Sequence, residues 1–132
     1  MIVDASALVA IAFDEPEAAR LERIVLGSPA RMAAPTMLEA SMVIEGARDP
    51  TARRFFDSLV ERLGIDVIPF TAHQAELARA AFRDFGRGSG HPARLNFGDC
   101  ISYATAKDLR ETLLFKGDDF IHTDIRSALT GE

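Results

Sequence analysis

Four acidic positions in this chain are placed where they could do chemistry. Asp4, Glu39, Asp99 and the pair Asp118-Asp119 each fall at the edge of a strand-like run or in the opening turn of a helix-like one. Asp99 lies in the segment Asn96-Phe97-Gly98-Asp99-Cys100-Ile101-Ser102-Tyr103-Ala104-Thr105-Ala106-Lys107. There Asn96 is a good N-cap, Gly98 removes bulk beside the acid, and Phe97, Cys100, Ile101 and Ala104 recur at helical spacing. One carboxylate in a first helical turn is ordinarily a partner for the helix dipole. Three or four converging on one crevice are another matter, because they cannot all stay ionised without a cation. The donors are oxygens, with no His or Cys at ligand spacing, so the fitting ions are Mg²⁺ and Mn²⁺ rather than structural zinc. Such an ion acidifies an attacking water and stabilises charge on a leaving oxygen, as phosphoryl chemistry requires, and paired ions stand about 3.5–4 Å apart.

Convergence depends on the elements that carry the acids. Strand-like runs occur at Ile2-Val3, Met32-Ala33, Val67-Ile68 and Leu113-Leu114, each separated from the next by helical patterns. That alternation predicts parallel strands joined by right-handed crossovers, an α/β fold whose strand carboxyl ends share one edge. Asp4 stands at the exit of the first strand, with Ser6 as the expected cap of a helix through Phe13. A second helix follows the turn Asp14-Glu15-Pro16-Glu17 and stops at Gly27. Thr36 and Glu39 fit the capping box S/T-x-x-E, which gives Glu39 a structural task, while the same helix start points it at the rim where Asp4 lies. A helix over Thr51–Leu63 carries a wide apolar stripe that includes Phe55, Phe56 and Leu59, suited to internal packing or to a partner. Thr71 caps a helix from Ala72 to about Phe85, on which His73 reads as surface polar. The glycine-rich run from Gly86 to Arg94 reads as a connecting loop, or as a mobile basic loop whose Arg87 and Arg94 suit a phosphodiester backbone. It is not a P-loop. Ile121 to Leu129 reads as a short irregular strand and a fraying tail.

Composition bounds the class. A length of 132 residues suits one domain over 1–132, and 48% hydrophobic with 27% charged residues describes a soluble globular protein. No apolar run reaches membrane-spanning length, so no membrane association is expected. The opening Met1-Ile2-Val3-Asp4 does not read as a secretory signal, and the one cysteine, Cys100, fits a reducing cytoplasm and a core position. A net charge of −5 argues against coating nucleic acid by bulk charge, although 13 arginines against 2 lysines leave room for local phosphate forks.

Taken together, four segments resemble PIN-domain ribonucleases, and in particular the VapC-type toxins of type II toxin–antitoxin systems. They are Ile2-Val3-Asp4-Ala5-Ser6-Ala7, Ala34-Pro35-Thr36-Met37-Leu38-Glu39, Leu95-Asn96-Phe97-Gly98-Asp99, and Leu114-Phe115-Lys116-Gly117-Asp118-Asp119-Phe120 with Thr123-Asp124. They stand in family order from end to end of the chain. The resemblance implies a Rossmann-like three-layer fold with a short, mainly parallel sheet. It implies a Mg²⁺-dependent (or Mn²⁺-dependent) endoribonuclease that cleaves RNA of the tRNA or rRNA class. Asp4 and Asp99 would be the principal metal ligands, Glu39 a ligand or a base acting through water, and Asp119 the fourth acid, with Asp118 and Asp124 close enough to substitute. Arg87 and Arg94 would contact RNA. A homodimer and a VapB-type antitoxin whose tail blocks the site complete the implied picture. A receiver-type phosphoacceptor domain fits less well, since Asp4 stands alone and Val67-Ile68-Pro69-Phe70 carries no acid. The alternative is a metal-binding or inert PIN-like protein-interaction module without nuclease activity; filled acid positions count against inertness.

Overall fold

A computed structural model of the chain describes residues 1–129, so the last three positions of the expected domain lie outside the described residues. Ten elements follow one another as β1 (Ile2–Val3), α1 (Ala5–Ala12), α2 (Ala18–Leu26), β2 (Ala30–Ala33), α3 (Ala34–Ala47), α4 (Pro50–Leu63), β3 (Ile65–Ile68), α5 (Ala72–Phe85), α6 (Phe97–Leu109) and β4 (Leu113–Leu114). The strands form one sheet in the order β3-β2-β1-β4, parallel throughout. This is the expected α/β fold. The opening strand is interior, paired through Ile2 to Arg31 on one side and to Leu113 on the other.

A period of two decides the layers. Ile2 and Leu113, paired across the sheet, belong to one apolar cluster with Ala81, Leu95, Cys100, Tyr103, Phe115 and Phe120. Their neighbours Val3 and Leu114 point the other way, into a cluster with Leu8, Ile11, Leu21, Val25, Met32, Ile44 and Phe56. Successive strand residues face opposite sides, so two-residue strands apolar at both positions require cover on both faces. The parallel strands all end on one rim, where α1, α3 and α6 begin.

The helix starts differ in instructive ways. Asp4, not Ser6, caps α1, its carboxylate accepting from the Ser6 amide at 3.1 Å. The expected Thr36–Glu39 capping box does not form. Pro35 suits the first helical turn, because its ring sets a helical φ and it lacks an N–H that would be orphaned there, and α3 already begins at Ala34. Thr36 is thereby carried inside the helix, buried, with its hydroxyl unpartnered, and Glu39 is left free of capping. True capping boxes form at Thr71/Gln74 on α5 and at Asn96/Asp99 on α6. Asp49 caps α4 by accepting from the amides of Thr51 and Ala52.

Two segments are tied down more than the sequence suggests. The glycine-rich run, read from sequence as a connecting loop or a mobile basic loop, is closed on itself: Leu95 donates to Phe85 O at 2.9 Å, Arg87 to Leu95 O at 3.1 Å, and the Ser89 hydroxyl to Gly86 O at 2.7 Å. His91 packs edge-on against Phe85 and its Nδ1 accepts from the Ala93 amide. Likewise the segment after β4 is joined to the sheet, Leu113 donating to Arg126 O and accepting from the Ala128 amide, both at 2.9 Å. Replacing fully buried Leu8 with alanine should cost about 2–5 kcal/mol, and Asp49→Ala about 1 kcal/mol, in urea unfolding. Equal losses from the two would refute this division between core and cap.

Candidate active site

Asp4 is the most deeply placed acid, 4% exposed at the exit of β1. Its Oδ2 accepts from the Ser6 amide at 3.1 Å and the Ser6 hydroxyl at 2.6 Å, and its Oδ1 accepts from the Ser102 hydroxyl at 2.5 Å. Ser6 in turn accepts from the Lys116 amide at 3.0 Å, which ties the end of β1 to the turn after β4. That turn carries Asp118 and Asp119 and passes through Gly117 at φ +101°, a conformation favouring glycine.

Asp99 enters from α6. Its amide donates to Asn96 Oδ1 at 2.9 Å and its Oδ2 accepts from the Asn96 amide at 3.1 Å, so the capping box that starts the helix also fixes the acid. Burial pushes the Asp99 carboxyl up to about 7. The nearby charges of Asp4 and Asp119 add to this, against the opposing pull of the Asn96 amide. Glu39, half-buried on α3, is also raised, first by burial and then by the charge of Asp4. Gly98 makes room for it: a Cβ at that position would lie 2.5 and 2.6 Å from the two Glu39 carboxylate oxygens. The bulk that Gly98 removes thus clears space for Glu39 rather than for its neighbour Asp99.

Asp4, Glu39, Asp99 and Asp119 therefore act on one another electrostatically. Among the described residues, no lysine or arginine forms an ion pair with any of them. Nor do three His, Cys, Asp or Glu among the described residues stand as a ready-made metal cage. The charge of Asp4 acts on both Glu39 and Asp99, while Asp4 itself is bonded to Ser6 and Ser102. The donor chemistry still fits a hard divalent cation: oxygens only, negative, and lacking a cationic side chain as counter-charge.

The remaining sequence candidates fall elsewhere or at the margin. Asp118 is exposed on the same turn as Asp119. Asp124 accepts from the Tyr103 hydroxyl at 2.5 Å and pairs with Lys107. Arg87 and Arg94 are exposed on the closed turn before α6. Cys100 is buried, its thiol pushed up to about 11 by burial and by Asp99, which suits a core residue and not a nucleophile. Ser6 and Ser102 were not singled out as site residues from the sequence. The signal for Ser102 was a hydroxyl set among Cys100, Ile101, Ala104 and Ala106, all on a helix buried nearly all round.

This fold, with acids at the carboxyl rim of a parallel sheet, defines a class. The PIN domain family model matches residues 1–126, and the chain belongs to the PIN-domain family. Within it the similarity is to proteins named as VapC ribonucleases. The chain is 52% identical to ribonuclease VapC28 of Mycobacterium tuberculosis, over 98% of each chain. It is 50% identical to ribonuclease VapC42 of the same organism, over 98% of this chain and 100% of the relative. Among solved structures, M. tuberculosis VapC20, described as a Sarcin-Ricin loop cleaving toxin, aligns with a TM-score of 0.71 at 16% identity, over 94% of this chain and 95% of that one. A toxin–antitoxin complex from Klebsiella pneumoniae aligns with a TM-score of 0.66 at 20% identity, over 90% and 88%. Both structural matches speak to the fold.

Without metal, Asp99 holds a proton in the folded state near 7 that the unfolded chain releases near 4. Its contribution to stability is full below the unfolded pKa and is lost as pH rises through the folded one. Urea unfolding in EDTA should show lower stability at pH 8 than at pH 5.5. Asp99→Asn should recover on the order of 1–3 kcal/mol at pH 8, and no recovery would mean that the charge of Asp99 is not under strain.

Proposed function

We propose that this protein is a Mg²⁺-dependent endoribonuclease toxin, folded as one PIN domain over 1–132, held in check by a VapB-type antitoxin and working in a reducing cytoplasm. The observation that carries the reading is the uncompensated acid group at the sheet rim: Asp99 raised by burial and by two acids, with no cationic side chain paired to them among the described residues. The names of the similar VapC ribonucleases supply the substrate class, RNA.

Asp4 and Asp99 would hold the cation. When bound, Mg²⁺ (or Mn²⁺) supplies acidification of an attacking water and stabilisation of charge on the phosphodiester. The chain supplies the rest. Asp4 is presented rigidly by Ser6 and Ser102, and Asp99 by its capping box. Glu39 lies beside them on a longer side chain, its proton affinity raised, which suits a base acting through water. Asp119 completes the negative cluster from the turn after β4. Arg87 and Arg94 offer guanidinium forks to the RNA backbone. An apolar groove between α1 and α4, lined by Ile11, Phe55, Phe56 and Leu59, gives the antitoxin a surface apart from the acids.

A second surface supports the reading of a homodimer. Leu38 (61% exposed) and Met42 (64%) on α3 adjoin Phe97 (82%) on α6 in one concave apolar patch that also touches Glu39 and Gly98. An exposed apolar patch of this kind marks an interaction site. Pairing there would bring two acid rims side by side.

Purified, antitoxin-free protein should produce discrete fragments from total RNA in Mg²⁺ and none in EDTA. Asp99→Asn should slow cleavage by at least about 100-fold; a variant as fast as wild type would sink the mechanism. Met42→Glu should convert a dimer into a monomer in analytical ultracentrifugation, and an unchanged sedimentation coefficient would move the interface elsewhere.

A further inference from the structure

Two helix hydroxyls inside this protein turn back on their own helix. Thr105 donates to Ile101 O at 2.8 Å, and Ser41 to Met37 O at 2.7 Å, the usual contact one turn earlier. Ser102 does not. It is 1% exposed, lies three residues after Asp99 on α6, and sends its hydroxyl across to Asp4 Oδ1 at 2.5 Å, joining positions 98 residues apart. A hydroxyl held in this way orients the carboxylate that accepts it.

The acceptor capacity of Asp4 gives this contact a consequence. An ionised carboxylate has about four lone-pair sites. Both sites on Oδ2 are taken by Ser6, through its amide and its hydroxyl, and one on Oδ1 is taken by Ser102. Among the described residues' contacts, one site remains, on Oδ1. Ser6 is bound within its own helical turn and is braced by the Lys116 amide, so it fixes where Asp4 sits. Ser102 comes from α6, the helix that carries Asp99, and so sets the direction of the last free lone pair relative to the second acid.

We propose that Ser102 is a positioning residue of the metal site: it leaves Asp4 a single free lone pair on Oδ1 and aims it, so that Asp4 takes a divalent cation through that oxygen alone. The proposal rests on the reading of Asp4 as a metal ligand. Partners that orient a metal ligand from behind typically govern affinity by 10–100-fold when removed. A hydroxyl that merely filled core space would leave metal affinity alone.

The test uses the full chain without RNA. Mn²⁺ binding is followed by the electron paramagnetic resonance signal of the free ion for wild type, Ser102→Ala and Ser102→Thr, with the melting temperature of each. Ser102→Ala should bind Mn²⁺ about 10–100-fold more weakly than wild type, and Ser102→Thr, which keeps the hydroxyl, should return to within about threefold. In RNA cleavage the same shift should appear in the half-saturating Mg²⁺ concentration, with the rate at saturating Mg²⁺ much less affected. If Ser102→Ala does not fold, Ser102→Cys, similar in size and a weak donor, is read in its place with the same expectation. Mn²⁺ affinity within twofold of wild type in the variant lacking the hydroxyl would overturn the proposal. A wild-type protein that binds Mn²⁺ and shows the Ser102 effect but cleaves no RNA would keep the positioning role and remove the nuclease. A wild-type protein that binds no Mn²⁺ would remove both.

Discussion

The carboxylate of Asp4, buried at the end of the interior opening strand with no cationic side chain paired to it among the described residues, is the constraint around which the rim is built. A buried charge is tolerated only when hydrogen bonds replace the water it has lost. Here the replacements come from three places in the chain. Ser6 lies two residues on, Ser102 comes from α6, and the turn after β4 braces Ser6 through Lys116. The need to satisfy one acid therefore draws together β1, α1, α6 and the exit of β4. Those are the elements that bring Asp99 within its field and Asp119 within reach of Asp99.

This arrangement sets stability against chemistry. A group of carboxylates with no cation must either repel or take up protons, and Asp99 shows the second response. The fold accepts that cost at its rim because the sheet beneath is secured on both faces by apolar clusters. A cation that relieved the repulsion would bind the native chain and not the unfolded one, so occupancy of the site and stability of the fold would be linked. The glycine of α6 belongs to the same bargain. Gly98 is unfavourable in a helix, yet any side chain there would displace Glu39.

The apolar surface is organised with equal economy. The patch around Phe97 and the groove beside Phe55 lie on different helix pairs, one bordering the acids and one apart from them. A chain of this size cannot hide every large apolar side chain, and these two concave surfaces gather several of them. Their separation would allow self-association and a partner at once.

Much of this was legible in the residues. Alternating strand and helix patterns with apolar two-residue strands imply a parallel sheet, because such strands need cover on both sides, and a parallel sheet implies acids at a common rim. The order and types of the four acid-bearing segments carried the family. Asn96 with Asp99 showed a helix start, since capping is chemistry between near neighbours. Contacts across the chain were another matter. Thr36 and Glu39 satisfy a capping pattern that Pro35 and the end of β2 override. The turn from Gly86 to Arg94 has a flexible composition but is closed by bonds to Phe85 and Leu95. The resemblance favours Asp119 with Asp118 and Asp124 as possible substitutes, and in the fold Asp119 acts on Asp99 while Asp124 is held by Tyr103 and Lys107. Ser102 looks like one small residue on a buried helix until the fold sets it against Asp4. Local hydrogen bonding and hydrophobic period are written within a few residues, so the sequence alone determined the elements, their order and the acids they bear. Which side chain meets which acid depends on distances between segments far apart in the chain, and only the packed tertiary structure decides those.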